Sequence, residues 1–422
     1  MIDSPQTERL RLGIFLGGTS LSLIGNILAM VALPWFVLET TGSAVQTGLT
    51  GMATALPAFL AGIFGGPLVD QLGGRRMSVI ADLFSAASIL AIPVLYTTIG
   101  LEFWQLFALV LLGALLDIPG YTARRTLLPG FGERTKMKPE AINSAFEVLL
   151  GVSGIIGPAL AGLLIGPMGA VNLLWLTGAG FVLSALSVYG VAPDSANERS
   201  ADEPGLSYRQ QIAEGLSFIG RDSLLLSLAI LFAVSNFLTN GFYAVGLPVA
   251  IFEQFGDASR FGLILSATSI GTLVGGSIYG AIGDRFRENR RALLLAGFMV
   301  QPFFMVPFVL EAPYAVLLGV AFLSGIMLGP INPLTVTIRF ERTPARLHGR
   351  VFATYSAISA AMTPLGMALT GFLYEAIGST LALTALTLTA IGLALFMPAI
   401  RPFHKMNVAA EEREPESVGP AR

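Results

Sequence analysis

Long uncharged apolar runs recur along most of this chain, and the cations sit in alternate gaps between them. Runs of this kind dominate any fold, because about 20 apolar residues in a helix cross the hydrocarbon of a bilayer with every internal backbone group satisfied. Read as spans, they cover residues 12–37, 46–69, 77–98, 104–123, 141–165, 171–192, 223–250, 261–283, 292–310, 313–336, 351–377 and 380–400. Apart from Arg260, every Lys and Arg falls in alternate loops or at the termini. They group as Arg75 and Arg76, Arg124 to Lys138, Arg285 to Arg291 and Arg339 to Arg350. The positive-inside rule makes that side cytoplasmic, and an even number of spans returns both termini to it. The expected fold class is an all-α integral membrane protein with twelve transmembrane helices, multi-pass in the cell inner (plasma) membrane.

Composition agrees: 54% of residues are hydrophobic and 12% charged, against about a quarter charged in a soluble chain. The net charge of -2 leaves no basic excess for nucleic acid. Without cysteine, disulfides and thiolate metal sites are excluded. The first apolar run is too long for a signal-peptide core and lacks a small-residue cleavage site, so it is expected to remain as the first span.

Two halves follow from the longest polar stretch, residues 193–222, which carries Pro193, Asp194, Asn197, Glu198, Arg199, Asp202 and Pro204. The expected domains are a six-helix bundle over 1–192, a cytoplasmic linker over 193–222, a second six-helix bundle over 223–405 and a solvated tail over 406–422. Within the linker, Tyr208, Ile212, Leu216 and Ile219 recur at helical spacing. They form either an amphipathic helix on the membrane surface or an extension of the next span. Gly66-Pro-Leu-Val-Asp70 recurs as Gly280-Ala-Ile-Gly-Asp284, each followed by arginines, and Pro158 and Pro364 sit at similar offsets. Six spans per repeat give parallel repeats about an axis normal to the membrane.

The run Gly66-Pro-Leu-Val-Asp70-Gln-Leu-Gly73-Gly-Arg75-Arg76 resembles the signature between the second and third helices of the major facilitator superfamily. The resemblance implies two six-helix pseudo-repeats and alternating access. It also implies cytoplasmic gating loops at Gly66, Asp70, Arg75 and Arg76, copied at Gly280, Asp284 and Arg285. Gln71 departs from the family's usual arginine. The fifth span, with Gly154, Gly157, Pro158 and Gly162, resembles the Gly-Pro signature of the family's antiporters, which favours efflux. Small residues at this spacing let helices approach closely in lipid. Leu116-Asp117-Ile-Pro119, Gly329-Pro-Ile-Asn-Pro333 and Gly349-Arg350-Val with Pro364-Leu-Gly366 resemble the branch of macrolide-efflux and enterobactin-exporter-like proteins.

No Walker lysine motif is present, so a secondary gradient is the expected driver, protons first. A coupling site needs a carboxyl group that can be neutral in one state and charged in another, and burial moves carboxyl groups toward that range. The candidates within spans are Glu147 and Asp117, with Asp82 a helix-end acid. Asp117 is either a coupling group or a partner for Arg124, Arg75 or Arg76. Glu147 shares a face with Asn143, Gly151 and Gly154, so it is expected between the halves or buried at their interface.

Substrate-cavity candidates are Ser22 and Asn26, with Thr19, on the first span, and Asn236, Asn240 and Tyr243 on the seventh. Each set shares one helical face. Interhelical hydrogen bonding is the alternative use for these groups. The family's branch often carries Asp at the Asn26 position, and an amide cannot titrate. The rest of the cavity is expected to be apolar, from the fourth, eighth, tenth and eleventh spans. No metal or cofactor is expected, and no nucleophile with a base marks an enzyme: His348 and His404 both fall on the cytoplasmic side. The expected partners are a small-molecule substrate, protons and the lipid bilayer, with the chain a monomer. The expected function is proton-coupled efflux of hydrophobic or amphipathic compounds. Siderophore or lipid export on the same fold, or a non-transporting membrane receptor, are the alternatives.

Overall fold

The structure is a computed structural model describing residues 5–193 and 208–406. Residues 194–207 of the expected linker and 407–422 of the expected tail lie outside the described residues. The described chain is helical, without a strand. The first half comprises α1 (Pro5–Thr41), α2 (Ala44–Leu72), α3 (Gly74–Thr98), α4 (Phe103–Ala114), α5 (Asp117–Thr135) and α6 (Pro139–Val191). After α7 (Tyr208–Arg221), the second half comprises α8 (Ser223–Gly241), α9 (Leu247–Phe255), α10 (Ala258–Ile282), α11 (Arg290–Val309), α12 (Tyr314–Leu328), α13 (Ile331–Arg342), α14 (His348–Ala361), α15 (Thr363–Ile377) and α16 (Ser379–Phe396).

Among the described residues, ten helical stretches are long and apolar enough to cross a membrane. One of them, α6, has 53 residues, about 80 Å at 1.5 Å per residue, against a hydrocarbon core of about 30 Å. It turns at Gly169 (φ 80, ψ 156), a left-handed conformation that glycine adopts without a Cβ clash. The expected fifth and sixth spans lie on either side of that residue. Outside the ten, α2 has 29 residues, and Asp70 is its one charged residue.

Several apolar runs are not single helices. Between α4 and α5 the chain breaks at Leu116 (φ -102, ψ 2), because Pro119, in the first turn of α5, has no N–H to continue the ladder and its ring opposes the Leu115 carbonyl. α8 joins α9 through a π turn over Phe242–Gly246, closed by the Leu247 N–H on the Phe242 carbonyl, one turn before Pro248. Breaks at Gly329-Pro330 and at Met362, two residues before Pro364, divide the expected tenth and eleventh spans.

The expected loop from Gly66 to Asp70 is helical. α2 runs on to Leu72, and Gly73 (φ 77, ψ 152) alone makes the turn into α3. Gly280 likewise lies in α10, and Asp284 falls within a 3-10 segment, Gly283–Asn289. α7 is separate from α8, because Asp222 caps the Leu224 and Leu225 N–H groups. It packs on α14, with Ile219 buried and Glu214 paired with Arg350.

Candidate functional site: a cavity between the two halves

At the end of the bundle carrying few cations, the halves meet main chain to main chain. A β-carbon at Gly48 of α2 would lie 2.5 Å from the Met367 carbonyl oxygen, and one at Gly371 of α15 would lie 2.6 Å from that of Ala44. The second seam repeats this: a β-carbon at Gly162 of α6 would lie 2.6 Å from the Ala258 carbonyl oxygen and 3.1 Å from the Gly262 Cα. The Ser266 hydroxyl donates to the Ile155 carbonyl across this seam at 2.7 Å. Glu375 ties α15 to the start of α2, accepting from the Ser43 hydroxyl (2.7 Å) and the Val45 N–H (3.3 Å). Trp35 packs edge-on against Phe252 and stacks on Phe261.

Toward the arginine-rich end α6 and α10 part. Gly151 and Gly154 of α6 face open space, since a β-carbon at either would meet no atom within 4 Å. With Thr272 and Gly276 of α10 they border a gap of about 550 Å³. Of the ion pairs Arg290–Glu341, Arg342–Asp222, Arg350–Glu214, Arg124–Asp82 and Arg125–Glu147, none bridges the first half to the second.

Between these two levels lies a cavity of about 390 Å³. Its wall is mostly apolar and comes chiefly from the first half: Met30, Leu33 and Pro34 of α1, Ile89 of α3, Val110 of α4 and Phe181 of α6. The second half adds Phe261, Leu265 and Met367. The tenth span, expected to contribute, does not line it. Polar groups on the wall are Asn26, Thr50, Thr54, Ser85, Asp117, Asn240 and Tyr243.

Asp117 is the one charged residue of that wall. The break before α5 makes it the first residue of that helix, where the unpaired N–H groups favour a carboxylate. It accepts from the Ser85 hydroxyl at 3.1 Å, and Ser85 also donates to the Gly113 carbonyl. Asn240 donates to the Asn236 carbonyl at 2.9 Å. Tyr243, placed by the π turn, stacks on Phe304.

Other expected residues lie elsewhere. Arg124 pairs with Asp82 and not with Asp117, and both are buried. Ser22 is committed to this pair, donating to Asp82 (2.8 Å) and accepting from Arg124 (2.9 Å), and it is off the cavity wall. Asn236 also leaves the wall: its side-chain amide donates to the Ser359 carbonyl at 2.7 Å. Glu147 is neither buried nor on the wall, being 60% exposed in an ion pair with Arg125.

Of the expected gating residues, Arg75 lies over the Tyr189 ring and donates to the Tyr189 carbonyl. Arg76 and Arg285 are exposed. Asp70 and Asp284 lie outside the residues whose side chains are described. In the antiporter-like segment, Gly157 admits Ile27 of α1, while Pro158 and Gly162 face α10. Thr50, Thr54, Ser85 and Phe181 were missed in the sequence, where no spacing separates wall residues from the many other small or hydroxylated positions.

Two bundles of apolar helices meeting around a central cavity define a membrane transporter of the major facilitator fold. The model of the transmembrane secretion effector family, a major facilitator family, matches residues 13–419, and the chain belongs to it. It is similar to multidrug efflux pump Tap of Mycolicibacterium fortuitum, 32% identical over 383 residues that make up 89% of this chain and 93% of the relative. Macrolide efflux protein A of Streptococcus pyogenes is 22% identical over 401 residues, 93% and 96% of the two chains. Among solved structures, nucleoside transporter NupG superposes with a TM-score of 0.76 at 12% identity, covering 93% of this chain and 99% of that one. This last likeness concerns the fold alone. The chain is a transporter and not an enzyme.

Proposed function

We propose that this protein exports hydrophobic or amphipathic small molecules, drugs and antibiotics among them, in exchange for protons. The observation that carries the reading is an apolar cavity, shut at one end and open toward the other, with a single carboxylate on its wall. Relatives described as multidrug and macrolide efflux proteins support the same class of cargo. With the arginine-rich end in the cytoplasm, the arrangement faces inward, ready to load cargo through the gap beside Gly154. The membrane is then the plasma membrane, with twelve spans when α6 is divided at Gly169 and α2 is counted, and both termini are cytoplasmic. A monomer suffices, since the cavity is complete within one chain.

Asp117 is the coupling group. A charge at mid-membrane costs roughly 2.5–3.5 kcal/mol on insertion scales, and one hydroxyl and a helix start offset only part of that. The carboxyl group therefore gains by taking a proton when the cavity is dry and releasing it when wet. Asn26, Asn240 and Tyr243 orient cargo against Met30, Leu33 and Phe261. In the opposite state Gly151 and Gly154 close on α10, and the segments at Asp70, Arg75, Arg76, Asp284 and Arg285 latch the cytoplasmic end.

Reconstitution in proteoliposomes with a lumenal pH dye tests this. Adding cargo to the wild type is expected to move protons, and Asp117→Asn is expected to abolish that flux while retaining cargo binding. Undiminished flux in Asp117→Asn removes the coupling assignment. No gradient-driven flux across a broad panel of lipophilic drugs removes the export reading.

A further inference from the structure

Glu375 reaches from one half of the molecule to the other at the end that is shut. It lies one turn beyond Gly371 on the same face of α15, and the close approach of Gly371 to the Ala44 carbonyl brings its carboxylate to the first turn of α2. One oxygen, Oε2, accepts both from the Ser43 hydroxyl at 2.7 Å and from the Val45 N–H at 3.3 Å. Ser43 is the N-cap of α2 and accepts in turn from the Gln46 N–H at 3.2 Å. The second half therefore completes the cap of a first-half helix, satisfying a backbone donor for which α2 has no partner of its own.

The start of α2 is also what balances the charge of Glu375. The carboxylate makes no ion pair among the described residues. α2, α8, α16 and the π turn, which pack against α15, carry no Lys or Arg, and Arg350 of α14 is held by Glu214 at the opposite end. Unpaired N–H groups at a helix start favour a carboxylate, and a charged acceptor makes hydrogen bonds about twice as strong as a neutral one. A bond present in one arrangement of the halves and absent from the other biases the balance between them by its own free energy.

We propose that Glu375 is a clasp between the halves. It is a positioning residue that holds the arginine-poor end shut and so favours the state open toward the arginine-rich end. This rests on the alternating-access reading, and on neither proton coupling nor the identity of the cargo.

Distances between spin labels test it, because the chain has no cysteine of its own. Ile99→Cys and Leu310→Cys place the labels on exposed residues just after α3 and α11, one in each half. In detergent, without cargo or gradient, the wild type is expected to show chiefly a short distance. Glu375→Ala should raise the ratio of long to short about tenfold, and Glu375→Gln and Ser43→Gly should raise it by less. Glu253→Gln, which removes a charge at the same end, should leave it unchanged. Gly371→Leu and Gly48→Leu, whose side chains find a carbonyl of the other half in the way, should give the long distance outright. A wild-type ratio in Glu375→Ala, with the long distance present in the leucine variants, would overturn the clasp and leave alternating access standing. The short distance in the leucine variants as well would remove both. An equal shift in Glu253→Gln would reduce the effect to surface charge and overturn the clasp too. Should Glu375→Ala not fold, Ser43→Gly decides in its place, since glycine is a tolerated N-cap and the hydroxyl bond is still lost.

Discussion

Asp82 and Asp117 are both acids of the first half, and their surroundings are opposite in kind. Asp82 is 2% exposed and held by Arg124 and Ser22. Its charge is compensated within the protein, which makes it a strut between α1, α3 and α5. Asp117 faces the cavity and has a single hydroxyl, Ser85, as side-chain partner. Position in a span therefore says little about an acid's availability; what matters is whether a cation reaches it. Arg124 could have served either carboxylate by sequence distance, and in the fold it pairs with Asp82.

The comparison can be broken most forcefully at Arg124. Removing one partner of a buried pair leaves an uncompensated charge, so Arg124→Leu is expected to lose about 3–5 kcal/mol, read as a drop in the thermal midpoint in detergent. Asp82→Leu combined with Arg124→Leu should recover most of that loss. If Arg124→Leu melts with the wild type, the strut account fails. Ser85→Ala is the next test: it removes bonds to Asp117 and Gly113 and should cost about 1–2 kcal/mol, with cargo-driven proton flux changed in its pH profile. An unaltered profile would show that Ser85 does not set the state of Asp117. Asp117→Asn itself is expected to change stability by under about 1 kcal/mol while stopping flux, a split that a structural acid would not give. Smallest of all, Glu147→Gln should shift stability by less than about 1 kcal/mol, since its pair with Arg125 is exposed. Flux should be unchanged, and a large loss would restore Glu147 as a coupling group.

The segregation of cations makes the membrane-spanning helices legible in the sequence, because it reflects the cost of moving charge through lipid and needs no knowledge of packing. Asn26, Asn240, Tyr243 and Asp117 were legible as polar residues in apolar runs, and all four line the cavity. Ser22, Asn236 and Glu147 were chosen by the same logic and lie elsewhere. Their partners, Asp82, the Ser359 carbonyl and Arg125, sit on other helices, so periodicity within one helix could not exclude them. The breaks were harder still. Pro119 and Pro248 mark them, but whether a proline ends, kinks or merely bends a membrane helix depends on which neighbours take up the freed carbonyl. The turn signature was displaced for a related reason, since only Gly73 has the positive φ that reverses the chain.

The glycine contacts at Gly48, Gly371, Gly162 and Gly262 carry one more consequence. Side chains that interlock must choose rotamers each time they meet, and each choice costs conformational entropy. At these four positions the rods touch along bare flanks, so meeting and parting there freeze and release no side-chain torsions, and the same register can be regained each time. A single methyl there would act as a doorstop, holding ajar a door that otherwise shuts flush.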